Sequence, residues 1–285
     1  MKNKYYILES SYKNNNKNIK RKYYVTIIDN YETEEYIINI GGINIKCISI
    51  QIPYKGNQAV ILDISYYEKC SLKDILKKNK DMVQLIKCSL IFTLHHFPEL
   101  KSFIFSDNSY IECKNKIRIC LADLYYIKYQ KTWYEKMFNA IPENKEQYKN
   151  DKLKIDKILN KNLNFDIDIF IDAYYDNEFD SKEIINKIKE IYKKNMTLKS
   201  FLENIKYNEC SYYSIIINKF FRNQLSGLNW IININDIAEF NSNCDIIELE
   251  KALPKHIIIN KKSYIEKRHI NYQLETRKYF NTDSK

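Results

Sequence analysis

LADLYYIKYQKTWYEKMFNA, residues 121–140, is a helical run ending in Thr132-Trp133-Tyr134-Glu135-Lys136-Met137-Phe138, where an apolar residue follows a tyrosine by about one turn. Upstream lie a β-like segment, Lys116–Cys120, a turn, Asp107-Asn108-Ser109, and a short strand, Lys101–Phe105 (KSFIF). Further back, Met82, Leu85, Ile86, Leu90, Leu94 and Phe97 mark one face of a helix over Asp81–Phe97, closed by Pro98. Gln58–Ser65 (QAVILDIS), Ile43–Ile52, Tyr36–Ile40 and Tyr23–Asp29 are dense in β-branched and aromatic residues, with turns at Asp29-Asn30-Tyr31, Gly41-Gly42 and 53–57. Three or four antiparallel strands, a helix and a further strand make an α+β unit over residues 23–145.

The flanks read differently. Residues 1–22 form a basic N-terminal arm, with YKNNNKNIKRK (residues 12–22) as its loop. The stretch 141–180 is polar, and within it residues 146–180 read as a linker. A mainly helical C-terminal domain then fills 181–285, opened by Ser181 as N-cap. Its expected core is Ile184, Ile188, Ile191, Leu198, Phe201, Leu202, Ile216, Phe220 and Trp230.

Ile, Lys, Asn and Tyr crowd the chain of 285 residues, and these are the residues that AT-rich codons specify. The composition therefore points to an AT-rich genome, that of a protist, an AT-rich bacterium, a cytoplasmic plasmid or a large DNA virus. It also supplies an ordinary origin for the net charge of +10, which otherwise suggests a nucleic-acid partner. The nucleic-acid reading rests on Asn14–Lys22 and on Lys/Tyr interleaving such as Tyr125–Tyr129; the other partner class is a viral or host protein. The 7 cysteines are widely spaced with no CxxC pair, which predicts reduced thiols in an intracellular protein and no metal site. No run approaches the ~18 apolar residues of a membrane span.

The order of strands, helix Asp81–Phe97, strand Lys101–Phe105 and the TWYE-type segment resembles the core of the GNAT acetyltransferases over Gln58–Ala140. It is similar in particular to uncharacterised GNAT-like proteins of nucleocytoplasmic large DNA viruses, which pair a DNS-type turn with a TWYE-type segment. The fold the resemblance implies is α+β, a GNAT-like mixed sheet with packed helices, followed here by the helical C-terminal domain. The activity it implies is N-acyl transfer with acetyl-CoA as cofactor. The strand containing Ile61, Leu62 and Asp63 would then pair with the pantetheine arm. The helix start at Asn79, Lys80, Asp81 and Met82 would cradle the pyrophosphate through free N–H groups, with Asn108 bordering the cofactor. Tyr134 would protonate the leaving thiolate, and Glu68 would serve as base for the amine.

The residues themselves pull against parts of this. The matching pyrophosphate loop, Lys77-Lys78-Asn79-Lys80-Asp81-Met82, contains no glycine, and an Asp81 carboxylate on the helix amides would repel a second anion. Among 25 tyrosines, one beside Trp133 also reads as a core residue. Asp107–Ser109 reads as a self-stabilising Asx turn, and Glu68 and Asp63 as solvated acids. The expectation is therefore a divergent GNAT-like protein with weak or no acyltransferase activity. Its alternatives are a non-catalytic scaffold or virion component, and a basic nucleic-acid-associated protein.

Overall fold

The structure, a computed structural model, describes residues 3–14, 17–72, 75–76, 80–113, 118–161, 186, 190–191, 196–204, 217, 220–221, 224–238, 240 and 243–253. The chain is mixed α+β, with a large mixed sheet and few helices among the described residues. It divides into two compact units, residues 1–103 with 237–285, and residues 104–236.

The first unit is built on an antiparallel meander: β1 (Lys4–Asn14), β2 (Lys17–Asn30), β3 (Glu35–Gly41), β4 (Lys46–Pro53) and β5 (Gln58–Ile64) pair in sequence order. Alternation buries Tyr23, Val25, Ile38, Ile40, Ile48 and Ile50. β11 (Asn243–Leu249) closes the β1 edge, pairing Tyr5–Ser11 with Leu249–Asn243. At the other side β6 (Ser102–Ser106) lies next to β5. The two begin side by side, with the Lys101 amide on the Asn57 carbonyl (2.6 Å) and Gln58 Nε2 on Ser102 Oγ (3.1 Å). Neighbouring strands that start at one end run parallel, and the connection between them carries α1 (Lys80–His96), as parallel pairing requires. α1 buries Met82, Leu85, Ile86, Leu90 and Phe92.

The second unit holds the rest of β6, the hairpin β7 (Tyr110–Glu112) and β8 (Arg118–Cys120), α2 (Leu121–Tyr129), α3 (Trp133–Phe138), β9 (Ile141–Pro142), α4 (Lys145–Leu159), α5 (Leu198–Asn204) and β10 (Asn229–Asn233). β10 lies between β6 and β9. Tyrosine hydroxyls fasten α4: Tyr126 of α2 reaches Asp156 (3.0 Å), and Tyr148 donates to Glu135 of α3.

Several sequence expectations change. The basic arm is strand: Tyr12 pairs with Ile19 and Lys20 with Ser11, and β2 is also held by β3. Strand pairing supplies what the polar composition conceals, on both sides of Tyr5–Ser11 and on the β1 side of Lys17–Tyr23, and Lys13, Lys17 and Lys20 sit at solvent. The polar stretch from 141 contains α4, whose Tyr148, Asp151, Ile155 and Leu159 form a buried stripe. The single helix expected over Leu121–Asn139 is two, because Gln130 takes a left-handed conformation (φ 57°) and ends α2. Trp230 is in a strand, packed edge-on to Tyr148 at 5.3 Å. Leu198, Phe201 and Leu202 are helical and buried; Ile184, Ile188 and Ile216 lie outside the described residues, as does Asn79. β11 joins the first unit, so residues 181–285 are not all helix.

The cysteines are also corrected. Cys47 bonds Cys70, Cys88 bonds Cys244, Cys113 is disulfide-bonded as well, and Cys120 remains a buried thiol. Cys88 and Cys244 stand 156 residues apart in sequence, so linear spacing carries no sign of the pairing. Disulfides belong to oxidising surroundings rather than to the reduced thiols expected of an intracellular chain. No helix among the described residues is long and apolar enough to cross a membrane.

Candidate functional site

The start of α1 is the position where the resemblance requires bare backbone. Asp81 stands in its first turn, fully buried, and its carboxylate meets the Arg21 guanidinium at 3.3 Å. A carboxylate in the first turn satisfies the positive end of the helix dipole, and Arg21 neutralises it from β2. An incoming pyrophosphate would face a negative charge already installed and hydrogen-bonded. Met82 is buried, while Lys80 is exposed beside it. Lys80, Asp81 and Met82, the described residues of this helix start, do not fit an acetyl-CoA pyrophosphate.

On β5, Ile61 is buried and Leu62 is 54% exposed, the alternation of a half-buried strand. Asp63 accepts from the Ser65 hydroxyl at 2.6 Å. Glu68 is exposed in a turn, its backbone carbonyl receiving the Leu76 amide, and no group among the described residues positions its carboxylate for base catalysis. Asn108 is exposed, with its amide 3.4 Å from Ser106 Oγ.

Tyr134 is deep in the second unit, 5% exposed, with its ring 4.4 Å from that of Phe105 and 4.8 Å from that of Trp133. The capping box at Thr132 and Glu135 fixes the start of its helix. Its hydroxyl hydrogen-bonds Ser109, and Ser109 donates to Asp107, whose Oδ1 also accepts the Ser109 amide at 3.0 Å. Burial and the nearby Asp107 carboxylate push the phenol upward, so it holds its proton firmly. The Asx turn read from Asp107-Asn108-Ser109 is present, and it doubles as the far end of a three-residue hydrogen-bond chain.

Two buried aspartates dominate the electrostatics here. Asp107 is raised by desolvation, and Asp123 is pushed up to about 6 by desolvation, its bonds to the Leu225 and Gln224 amides holding it lower than burial alone would. The Leu225 amide donates to Asp123 at 2.9 Å. The Asp107 backbone clasps the same segment, its amide on the Leu228 carbonyl (3.0 Å) and its carbonyl receiving the Gly227 amide (2.7 Å). One carboxylate oxygen of each aspartate is buried without a partner among the described residues. Cys120 lies within their field, and burial pushes its thiol up to about 12, which makes it unreactive.

Sequence reasoning placed Tyr134 on a helix but missed Asp123 and Arg21. Arg21 falls in a stretch that reads as a loop, and the partner of Asp123 is 102 residues away. The Thr132-x-x-Glu135 spacing was the one local signal that could have fixed where the Tyr134 helix begins. Among the described residues no three His, Cys, Asp or Glu side chains are grouped to hold a metal. No family model, curated protein or solved structure matches this chain.

Proposed function

We propose that this chain is a GNAT-like protein without working acetyl-CoA chemistry, serving as a non-catalytic scaffold. The observation that carries the reading is the Arg21–Asp81 pair, which fills the start of α1 with charges of the chain's own. Tyr134 supports it: a phenol packed among aromatic rings and bonded to Ser109 ties α3 to the turn after β6. Calorimetric titration with acetyl-CoA tests the proposal. No heat of binding is expected; a dissociation constant at or below about 100 μM, roughly 5.5 kcal/mol, overturns it.

One observation favours an acyltransferase instead. The Tyr134–Ser109–Asp107 chain has the form of a proton path leading to a general acid. If acetyl-CoA binds and Tyr134→Phe abolishes turnover while leaving binding intact, that reading replaces the scaffold.

A further inference from the structure

The β1–β2 hairpin, which the scaffold reading leaves unused, has two unlike faces. Register puts Ser10, Arg21 and Cys244 on one face, the face tied to α1 by the Arg21–Asp81 pair and the Cys88–Cys244 bond. By the period of two, Ser11, Lys13, Asn18, Lys20 and Asn243 occupy the opposite face. They line a groove of about 620 Å³, bordered also by Tyr12, which the same period assigns to the first face. All six are cationic or neutral with a donor to offer, and no carboxylate is among them. Two acids follow the groove on that face, Glu9 and, opposite it on β11, the exposed Asp245; Glu9 is held by Lys22 at 2.7 Å, which leaves Lys20, 71% exposed, only a 3.5 Å contact to it. Lys13 has no ion-pair partner among the described residues.

We infer that this groove binds the phosphate backbone of single-stranded nucleic acid. Two lysines supply charge, while Ser11, Asn18 and Asn243 supply neutral donors for phosphate and sugar oxygens. The volume falls within the range of ordinary ligand sites and suits a short stretch of strand passing through.

The test is fluorescence anisotropy of a labelled oligothymidylate of about 12 nucleotides with the full chain across a salt series. Lys13→Gln with Lys20→Gln should weaken binding by about tenfold or more and flatten the salt slope by about 1.4, two phosphate contacts at ~0.7 each. Lys149→Gln with Lys157→Gln, two exposed lysines of α4, removes the same charge and should leave both quantities unchanged. Equal losses from the two pairs would show general charge attraction and overturn the groove. So would failure of the unaltered protein to bind, a mononucleotide binding as tightly as the strand, or binding confined to phosphatidylserine vesicles. None of these outcomes depends on acetyl-CoA, so this inference and the scaffold reading fail separately.

Discussion

The two units solve one problem, holding a segment distant in sequence, with different chemistry. The first fixes β11 to α1 through the Cys88–Cys244 bond and fixes β2 to α1 through the Arg21–Asp81 pair. The second holds Gln224–Leu228 with the Asp123 carboxylate and the Asp107 backbone. A covalent bond and a permanently charged guanidinium are indifferent to pH near neutrality. A buried carboxylate with a raised pKa is not, so the first unit should answer to its pairings and the second to protons.

The sharpest way to break this contrast is Arg21→Met. It takes the guanidinium away from the buried Asp81 carboxylate and should cost about 3–5 kcal/mol, read as a lower denaturant midpoint, with Asp81→Asn in the same background recovering most of it. A loss under about 1 kcal/mol, the scale of a surface pair, would remove the ion pair from the account of the first unit.

Next in size is the Cys88→Ser, Cys244→Ser double variant, expected to lose about 2–5 kcal/mol. It should lose more than Cys47→Ser with Cys70→Ser, whose bond closes 23 residues rather than 156. Hydrogen exchange should quicken in α1 and β11. Quickening centred on residues 224–228 instead would contradict the division of labour.

The smallest expected effect is the pH response of Asp123. Its folded pKa, about 6, lies above the ordinary value near 3.9, so the folded unit binds the extra proton between those limits. Stability from this group is greatest below about pH 4 and is lost as pH rises through about 6, on the order of 2–3 kcal/mol in all. Asp123→Asn keeps an acceptor for the Leu225 amide and removes the charge. It should raise the melting temperature at pH 7.5 and leave it nearly unchanged at pH 4. A melting temperature lowered at pH 7.5 would mean that the charged carboxylate is needed there.

What was legible in the sequence follows the range of the forces involved. β3, β4, β5, α1 and β6 could be read because each carries its own period and its own turn. β1 and the first half of β2 could not, because their order comes from neighbouring strands, β11 and β2 for β1 and β1 for the start of β2, while residues 12–22 spell a solvated loop. α4 was hidden by its lysines, although Tyr148, Ile155 and Leu159 keep helical spacing. The Tyr134 position was legible as helix, but its bond to Ser109, and through Ser109 its link to Asp107, crosses from α3 to the turn after β6. Arg21–Asp81, Cys88–Cys244 and Asp123–Leu225 span 60, 156 and 102 residues, and no window of sequence contains any of them.

The placement of β11 also sets an order in time. The second unit, 133 residues from 104 to 236, is synthesised before the strand that completes the first can emerge. At about 5–20 residues per second that is a delay of roughly 7–27 s. Throughout it the outer edge of β1 offers unpaired amides and carbonyls to whatever strand comes near. The growing chain is therefore most vulnerable to mispairing late in translation, when most of it has already folded.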